Sequence, residues 1–97
     1  MISAGNVNEV QTGVAHFIAE AITKSGKTQV EIAQEVGFQK PNMITMIKQG
    51  KSKLPMTKIK RLAESLSVDP KVLLRLCFEE YQPGNWEVIQ DIFEVEV

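Results

Sequence analysis

The sequence predicts an all-α fold on three observations. Apolar residues recur at three- and four-residue spacing along most of the chain. Between these stripes lie helix-start residues (Thr, Asp, Asn) and helix-stop residues (Gly, Pro) at the expected positions. Only the closing stretch FEVEV alternates as a strand would, and it reads at most as a short terminal one.

The elements follow in order. From about Asn8 to Ser25, Val10, Val14, Phe17, Ile18, Ala21 and Ile22 form one apolar stripe, and Gly26 stops the helix. Thr28-Gln29-Val30-Glu31 is a capping box. The Thr28 hydroxyl can accept from a backbone N–H near Glu31, and the Glu31 carboxylate can reach back to the Thr28 N–H. It opens a helix with Ile32, Ala33 and Val36 inward and Gly37 at its end.

A third, short helix fits Pro41 to Gln49, because proline at a first helical position gives up only an N–H that has no partner there. Gly50 stops it, and Ile44 and Ile47 mark its buried face. After a basic loop, Gly50 to Pro55, a fourth helix fits Lys58 to Ser67, with Thr57 as cap and Ile59, Leu62, Ala63 and Leu66 inward. Asp69-Pro70 is a cap-plus-first-residue pair opening a fifth helix, apolar at Val72, Leu73, Leu76, Cys77 and Phe78. Pro83-Gly84 breaks the chain, and Asn85 caps a last helix carrying Trp86, Ile89, Ile92 and Phe93.

Composition narrows the function classes. The chain's 97 residues, with 43% apolar and 24% charged content, suit one folded domain with a modest core rather than a disordered segment. Cys77 is the sole cysteine, so neither an internal disulfide nor a cysteine-based zinc site can form, and a lone thiol fits a cytoplasmic setting. MISAGNVNEV lacks the basic-then-apolar pattern of a signal peptide, and no apolar run approaches the roughly 18 residues of a membrane span.

The formal net charge of −1 is uninformative, but its distribution is not. Lys24 to Arg61 holds nine basic residues against two glutamates, whereas Leu62 to Val97 holds eight acidic residues against two basic ones. A basic middle joined to an acidic end points to a polyanionic partner for the middle.

That basic middle contains two short helices joined by a glycine-containing turn, with small Ala33 four residues before Gly37, which describes a helix-turn-helix. Gly37 permits the positive φ the turn needs, Phe38 plugs the corner, and Ile44 and Ile47 seat the second helix on the core. The opposite face displays Asn42, Thr45 and Gln49, with Lys48 at its edge and Gln39 and Lys40 on its approach.

TQVEIAQEVGFQKPNMITMIKQGK followed by LPMTKIKRLAESLSVDP resembles the lambda-repressor-like (XRE-type, phage repressor) DNA-binding domain, over roughly Val10 to Leu74. Gln29, Ala33, Gly37, Ile44, Ile47 and Gly50-Lys51 carry the resemblance as an ordered set. The turn GFQKPN is longer by a residue than the common pattern, Lys48 stands where many members have Glu, and Met43 and Met46 replace polar or aromatic residues.

The resemblance implies a five-helix domain over residues 1–74, with residues 75–97 an additional helical extension that packs on the same domain or dimerises. It implies base contacts from Gln39, Lys40, Asn42, Thr45 and Gln49 in a DNA major groove. The chemistry agrees: Gln and Asn amides suit adenine edges, Lys suits guanine, and the Thr methyl suits a thymine methyl. Thr28, Gln29, Lys48, Lys51, Lys53 and Lys58 are then expected on phosphates, the first two at a helix N-terminus.

Such domains read paired half-sites as homodimers, and Trp86, Ile89, Ile92 and Phe93 are the candidate dimer surface. The function implied is a sequence-specific regulator of transcription, a repressor. The alternative is an antitoxin-like or other partner-binding protein whose C-terminal surface binds a second protein.

The remaining conspicuous residues read as structural. Met43 and Met46 are core or partial core, Cys77 a buried small hydrophobe, and Tyr81 and Trp86 packing residues. His16 has no second ligand beside it, and no Ser/His/Asp set or glycine-rich phosphate loop occurs, so neither catalysis, a metal nor a cofactor is expected.

Overall fold

The computed structural model describes residues 13–93, and within them six α-helices follow one another. They are α1 (Gly13–Ser25), α2 (Gln29–Val36), α3 (Asn42–Lys48), α4 (Ile59–Leu66), α5 (Pro70–Tyr81) and α6 (Pro83–Phe93). A single 3-10 turn, Met56–Lys58, leads into α4. The expected helix start near Asn8, with Val10, and the last four residues of FEVEV lie outside the described residues; Phe93 itself closes α6.

Local side-chain chemistry starts two of these helices as expected. The Glu31 N–H donates to Thr28 Oγ1 at 3.1 Å and the Thr28 N–H to Glu31 Oε1 at 2.8 Å, a complete capping box for α2. Asp69 Oδ1 accepts from the Lys71 N–H at 2.9 Å, with Pro70 as the first residue of α5. α3 lacks a side-chain cap. The Lys40 and Pro41 carbonyls instead accept from the Met43 and Ile44 N–H groups at 3.1 and 3.0 Å.

Two expected caps are corrected. Thr57 lies within the 3-10 turn, which begins earlier because Pro55 (φ −63°) presents its carbonyl to the Lys58 N–H at 2.9 Å. α6 starts at Pro83, so Asn85 sits inside it with its Nδ2 donating to Gln82 Oε1 at 2.8 Å. Gln82 alone makes the break. Its N–H closes α5 on the Phe78 carbonyl, and its own carbonyl accepts from the Trp86 N–H at 3.1 Å. Pro83 and Gly84 continue as helix because proline is compatible with a first helical position.

The core gathers Val14, Ile18, Ile32, Ala33, Val36, Ile44, Ile47, Leu62, Ala63, Leu73 and Cys77, all nearly inaccessible, with Leu54 contributed by the loop after α3. α1 lies against α3, α4 and α5, while α2 packs on α3 and α4. α6 packs on α5 and contributes no buried residue.

α2 ends where Gly37 takes a left-handed φ of 92° and both the Gly37 and Phe38 N–H groups donate to the Ala33 carbonyl at 2.9 Å. α4 ends the same way without a glycine: Ser67 adopts φ 58°, and the Val68 N–H reaches the Ala63 carbonyl at 2.9 Å.

α2 and α4 are braced by a polar triad. Lys27 Nζ donates to Glu35 Oε1 at 2.8 Å and to the Ser65 carbonyl at 2.7 Å, while buried Ser65 donates through Oγ to Glu35 Oε1 at 2.6 Å. The hydrogen bonds from Lys27 and Ser65 lower the Glu35 carboxyl from its ordinary value.

Three stability outcomes follow. Gly37→Ala forces a side chain into the left-handed region and against Arg61 Nη1, 3.1 Å from the added carbon, and should cost more than about 1 kcal/mol in urea unfolding. Ser67→Gly relieves the same kind of strain and should add about 0.5–1 kcal/mol in the same assay. Glu35 has a depressed folded pKa, so its contribution is full above the ordinary carboxylate pKa of about 4.3 and fades as pH falls through the lower folded value. Thermal melts of Glu35→Gln and wild type should therefore differ at neutral pH and converge in acid.

Candidate nucleic-acid interface

The two helices joined at Gly37 present α3 on the outside of the fold. Ile44 and Ile47 point into the core at 1% exposure each, which fixes the opposite face of α3 outward. Asn42 and Gln49 are exposed there, and Gln39 and Lys40 are exposed in the turn before it. Lys51 is exposed just beyond the helix, where Gly50 turns the chain with φ 75°. Among the described residues, the side chains of Gln39, Lys40, Asn42, Lys48, Gln49 and Lys51 have no hydrogen-bond or ion-pair partner within the protein. Their polar groups remain available to an external ligand.

The other expected contact residues are partly engaged. Thr45 Oγ1 donates to Gln29 Oε1 at 2.9 Å, so a residue expected on bases and one expected on phosphate are joined directly. With its hydroxyl proton directed at Gln29, Thr45 has its methyl left for apolar contact. With its carbonyl occupied, Gln29 has its NH2 group left to donate. That division suits a thymine methyl for the first and a phosphate oxygen for the second.

Thr28 is exposed but committed to the capping box, and the Glu31 carboxylate occupies part of the α2 N-terminus where an anion was expected. Lys58 Nζ donates to the Gly37 carbonyl at 3.2 Å and lies 5.8 Å from the Phe38 ring centroid, stabilising the C-terminal end of α2. Lys53 Nζ lies over the Tyr81 ring at 5.5 Å. Lys27, counted in the basic segment, is neutralised by Glu35.

Met43 and Met46 are both half-buried. Met46 lies four residues after Asn42 and three before Gln49, so it shares their side of α3 and adds an apolar surface to it.

Sequence reasoning missed several residues that hold this surface in place. Glu80 Oε1 accepts from the Val14 N–H at 2.9 Å, tying the described start of α1 to α5. Tyr81 Oη accepts from the Leu54 N–H at 3.0 Å, and Ser65 closes the triad behind α2. None carries a local sequence signal, since each partner lies far along the chain. His16 pairs with Glu20 at 3.1 Å on the surface. Burial pushes the Cys77 thiol up to about 11, which leaves it a protonated core group rather than a nucleophile. Among the described residues no group of three His, Cys, Asp or Glu side chains is placed to hold a metal, and no helix is long and apolar enough to cross a membrane.

α2, the Gly37 corner and α3 with its outward polar face define a helix-turn-helix domain. The helix-turn-helix family model of the lambda-repressor (XRE) type matches residues 18–73, more than half of the chain, and the protein belongs to that family. It is accordingly a DNA-binding regulator of the XRE type, with double-stranded DNA as its ligand. The match gives no support to the antitoxin-like alternative. Among curated proteins none matches the sequence.

Proposed function

We propose that the protein is a transcriptional repressor that inserts α3 into the major groove of an operator. The observation that carries this reading is the cluster of unpartnered amide and ammonium side chains around α3. Gln39, Lys40, Asn42, Lys48, Gln49 and Lys51 lie together on α3, its approach and its exit. Among the other cations of the basic segment, Lys27 and Lys58 are held by internal acceptors, and Lys24, Lys60 and Arg61 stand on α1 and α4.

In this reading Gln39, Lys40, Asn42 and Gln49 read base edges, with the Thr45 methyl and the Met46 side chain in contact with thymine methyls. The Gln29 amide, Lys48, Lys51 and Lys53 neutralise phosphates on either side of the groove, and Thr28 and Lys58 support them at the two ends of α2. Bound at a promoter, such a protein blocks transcription by occupancy.

The second half of the proposal is that two copies bind together through α6. Trp86 and Ile89 are half-buried, with Trp86 packed on Phe78 of α5 at 6.0 Å between ring centroids. Val88, Ile92 and Phe93 are 54%, 70% and 73% exposed, an apolar strip that a second copy would cover. A two-fold dimer places two α3 helices on half-sites about one DNA turn, roughly 34 Å, apart.

Selection of bound sites from random duplex DNA should return an inverted repeat, and an unstructured pool would defeat the proposal. Asn42→Ala or Gln39→Ala should cost about 1–3 kcal/mol on the selected site and relax preference at one or two base pairs. Lys51→Ala should weaken binding to all sequences alike and make the salt dependence less steep by about one phosphate equivalent. Uniform losses across sequences for all three variants would exclude direct readout by α3. Ile92→Glu combined with Val88→Glu should weaken dimerisation by at least about tenfold in sedimentation, because each isoleucine or valine buried contributes roughly 1.5–3 kcal/mol. An unchanged association state would remove α6 from the interface.

A further inference from the structure

The basic loop from Gly50 to Pro55 would move freely if nothing held its far end. Its start is fixed by α3, with the Lys51 and Ser52 N–H groups donating to the Met46 carbonyl at 2.9 and 3.3 Å. Beyond Ser52 the chain leaves that carbonyl, and Leu54 sinks into the core at 3% exposure. A backbone N–H carried inward with Leu54 needs an acceptor. Tyr81, the last residue of α5, supplies it, its phenol oxygen lying 3.0 Å from the Leu54 nitrogen. The same side chain passes under Lys53, whose ammonium lies 5.5 Å from the ring centroid. One tyrosine therefore holds both the backbone and a cation of the loop. Its neighbour Glu80 anchors the Val14 N–H at 2.9 Å, so the end to which the loop is tied is itself tied to α1.

We propose that Tyr81 is a positioning residue for DNA binding, holding the Gly50–Pro55 loop so that Lys51 and Lys53 meet backbone phosphates together. The inference rests on the DNA-binding reading above and adds to it a residue beyond the matched family region, which ends at residue 73. The physical benefit is preorganisation. A loop already fixed in the free protein loses little conformational freedom when two of its side chains engage an anion. A lysine held over a ring face keeps its N–H donors for that anion. Burial raises the phenol above its ordinary value, so at neutral pH it is protonated and accepts from the Leu54 N–H as a neutral group.

The test compares wild type with Tyr81→Phe, which keeps the ring and removes only the oxygen. On the selected duplex, affinity should fall about three- to tenfold, the range of one hydrogen bond, with equal losses on all sequences. The slope of binding against salt should become less steep by about one. In a Lys51→Ala/Lys53→Ala background the same substitution should change affinity less than twofold, because the groups it positions are gone.

Ile18→Val, a conservative truncation in the α1 core away from the loop and from the residues placed on DNA, serves as a control for a purely structural effect and should leave the salt slope unaltered. In the wild type the Leu54 amide should exchange its hydrogen slowly. Exchange as fast as in an unstructured chain would overturn the clamp without any variant. An equal loss from Tyr81→Phe in both lysine backgrounds, or an unchanged salt slope, would overturn it too. Wild-type protein without salt-dependent duplex binding would bring down the DNA-binding reading and this inference together. Strong wild-type binding indifferent to Tyr81→Phe would bring down this inference alone.

Discussion

The chain must reverse direction between Val36 and Asn42 tightly enough to lay α3 across α2, and that reversal turns on Gly37. Its left-handed backbone lets two successive N–H groups share the Ala33 carbonyl. Ala33 is small and 2% exposed, so the helices can approach closely. The freed end of α2 is then capped from outside by Lys58, with Arg61 close enough that a carbon at Gly37 would meet its guanidinium at 3.1 Å. Once this corner is set, Ile44 and Ile47 have one direction in which to bury, and the polar face of α3 has one direction left. The fold serves function here by subtraction: what the core takes from α3 determines what α3 can offer to an external ligand.

Charge follows the same logic. A basic segment is a poor guide to a binding surface until each cation's internal partner is known. Lys27 bonds Glu35 and the Ser65 carbonyl, and Lys58 caps a helix. Both stabilise the scaffold. Lys40, Lys48 and Lys51 have no such internal acceptor and lie along α3 and its flanks. The acidic C-terminal third is likewise not a uniform repulsive tail. Glu80 accepts a hydrogen bond from the backbone of α1, and Glu79 pairs with Arg75 at 3.0 Å one helical turn away. A net charge near zero thus hides both cations that brace the scaffold and cations that stay unpartnered around α3.

Legibility in the sequence varied with the range of the interaction. Thr28 and Asp69 cap as expected because donor and acceptor lie within three residues and no rival start is nearby. Thr57 and Asn85 fail for one shared reason: a proline just upstream, Pro55 or Pro83, preset the backbone and moved the turn ahead of them. Ser67 shows the reverse case, a left-handed helix end without glycine, which no composition rule marks. The apolar stripe of α6 was legible, but its division into a half-buried part, Trp86 and Ile89, and an exposed part, Ile92 and Phe93, was not, and Val88, which extends the exposed part, was not read at all. That division depends on where α5 lies.

Helical periodicity and cap chemistry act over a few residues, and from them came the helices, the Gly37 corner, the inward pair Ile44 and Ile47 and the outward identity of Asn42 and Gln49. The partnerships that hold the surface required the tertiary structure. Gln29 meets Thr45 across 16 positions, Leu54 meets Tyr81 across 27, and Glu35 meets Ser65 across 30. Such hydrogen bonds leave no periodic trace, because their geometry is fixed by how whole helices dock rather than by the residues beside them in the chain.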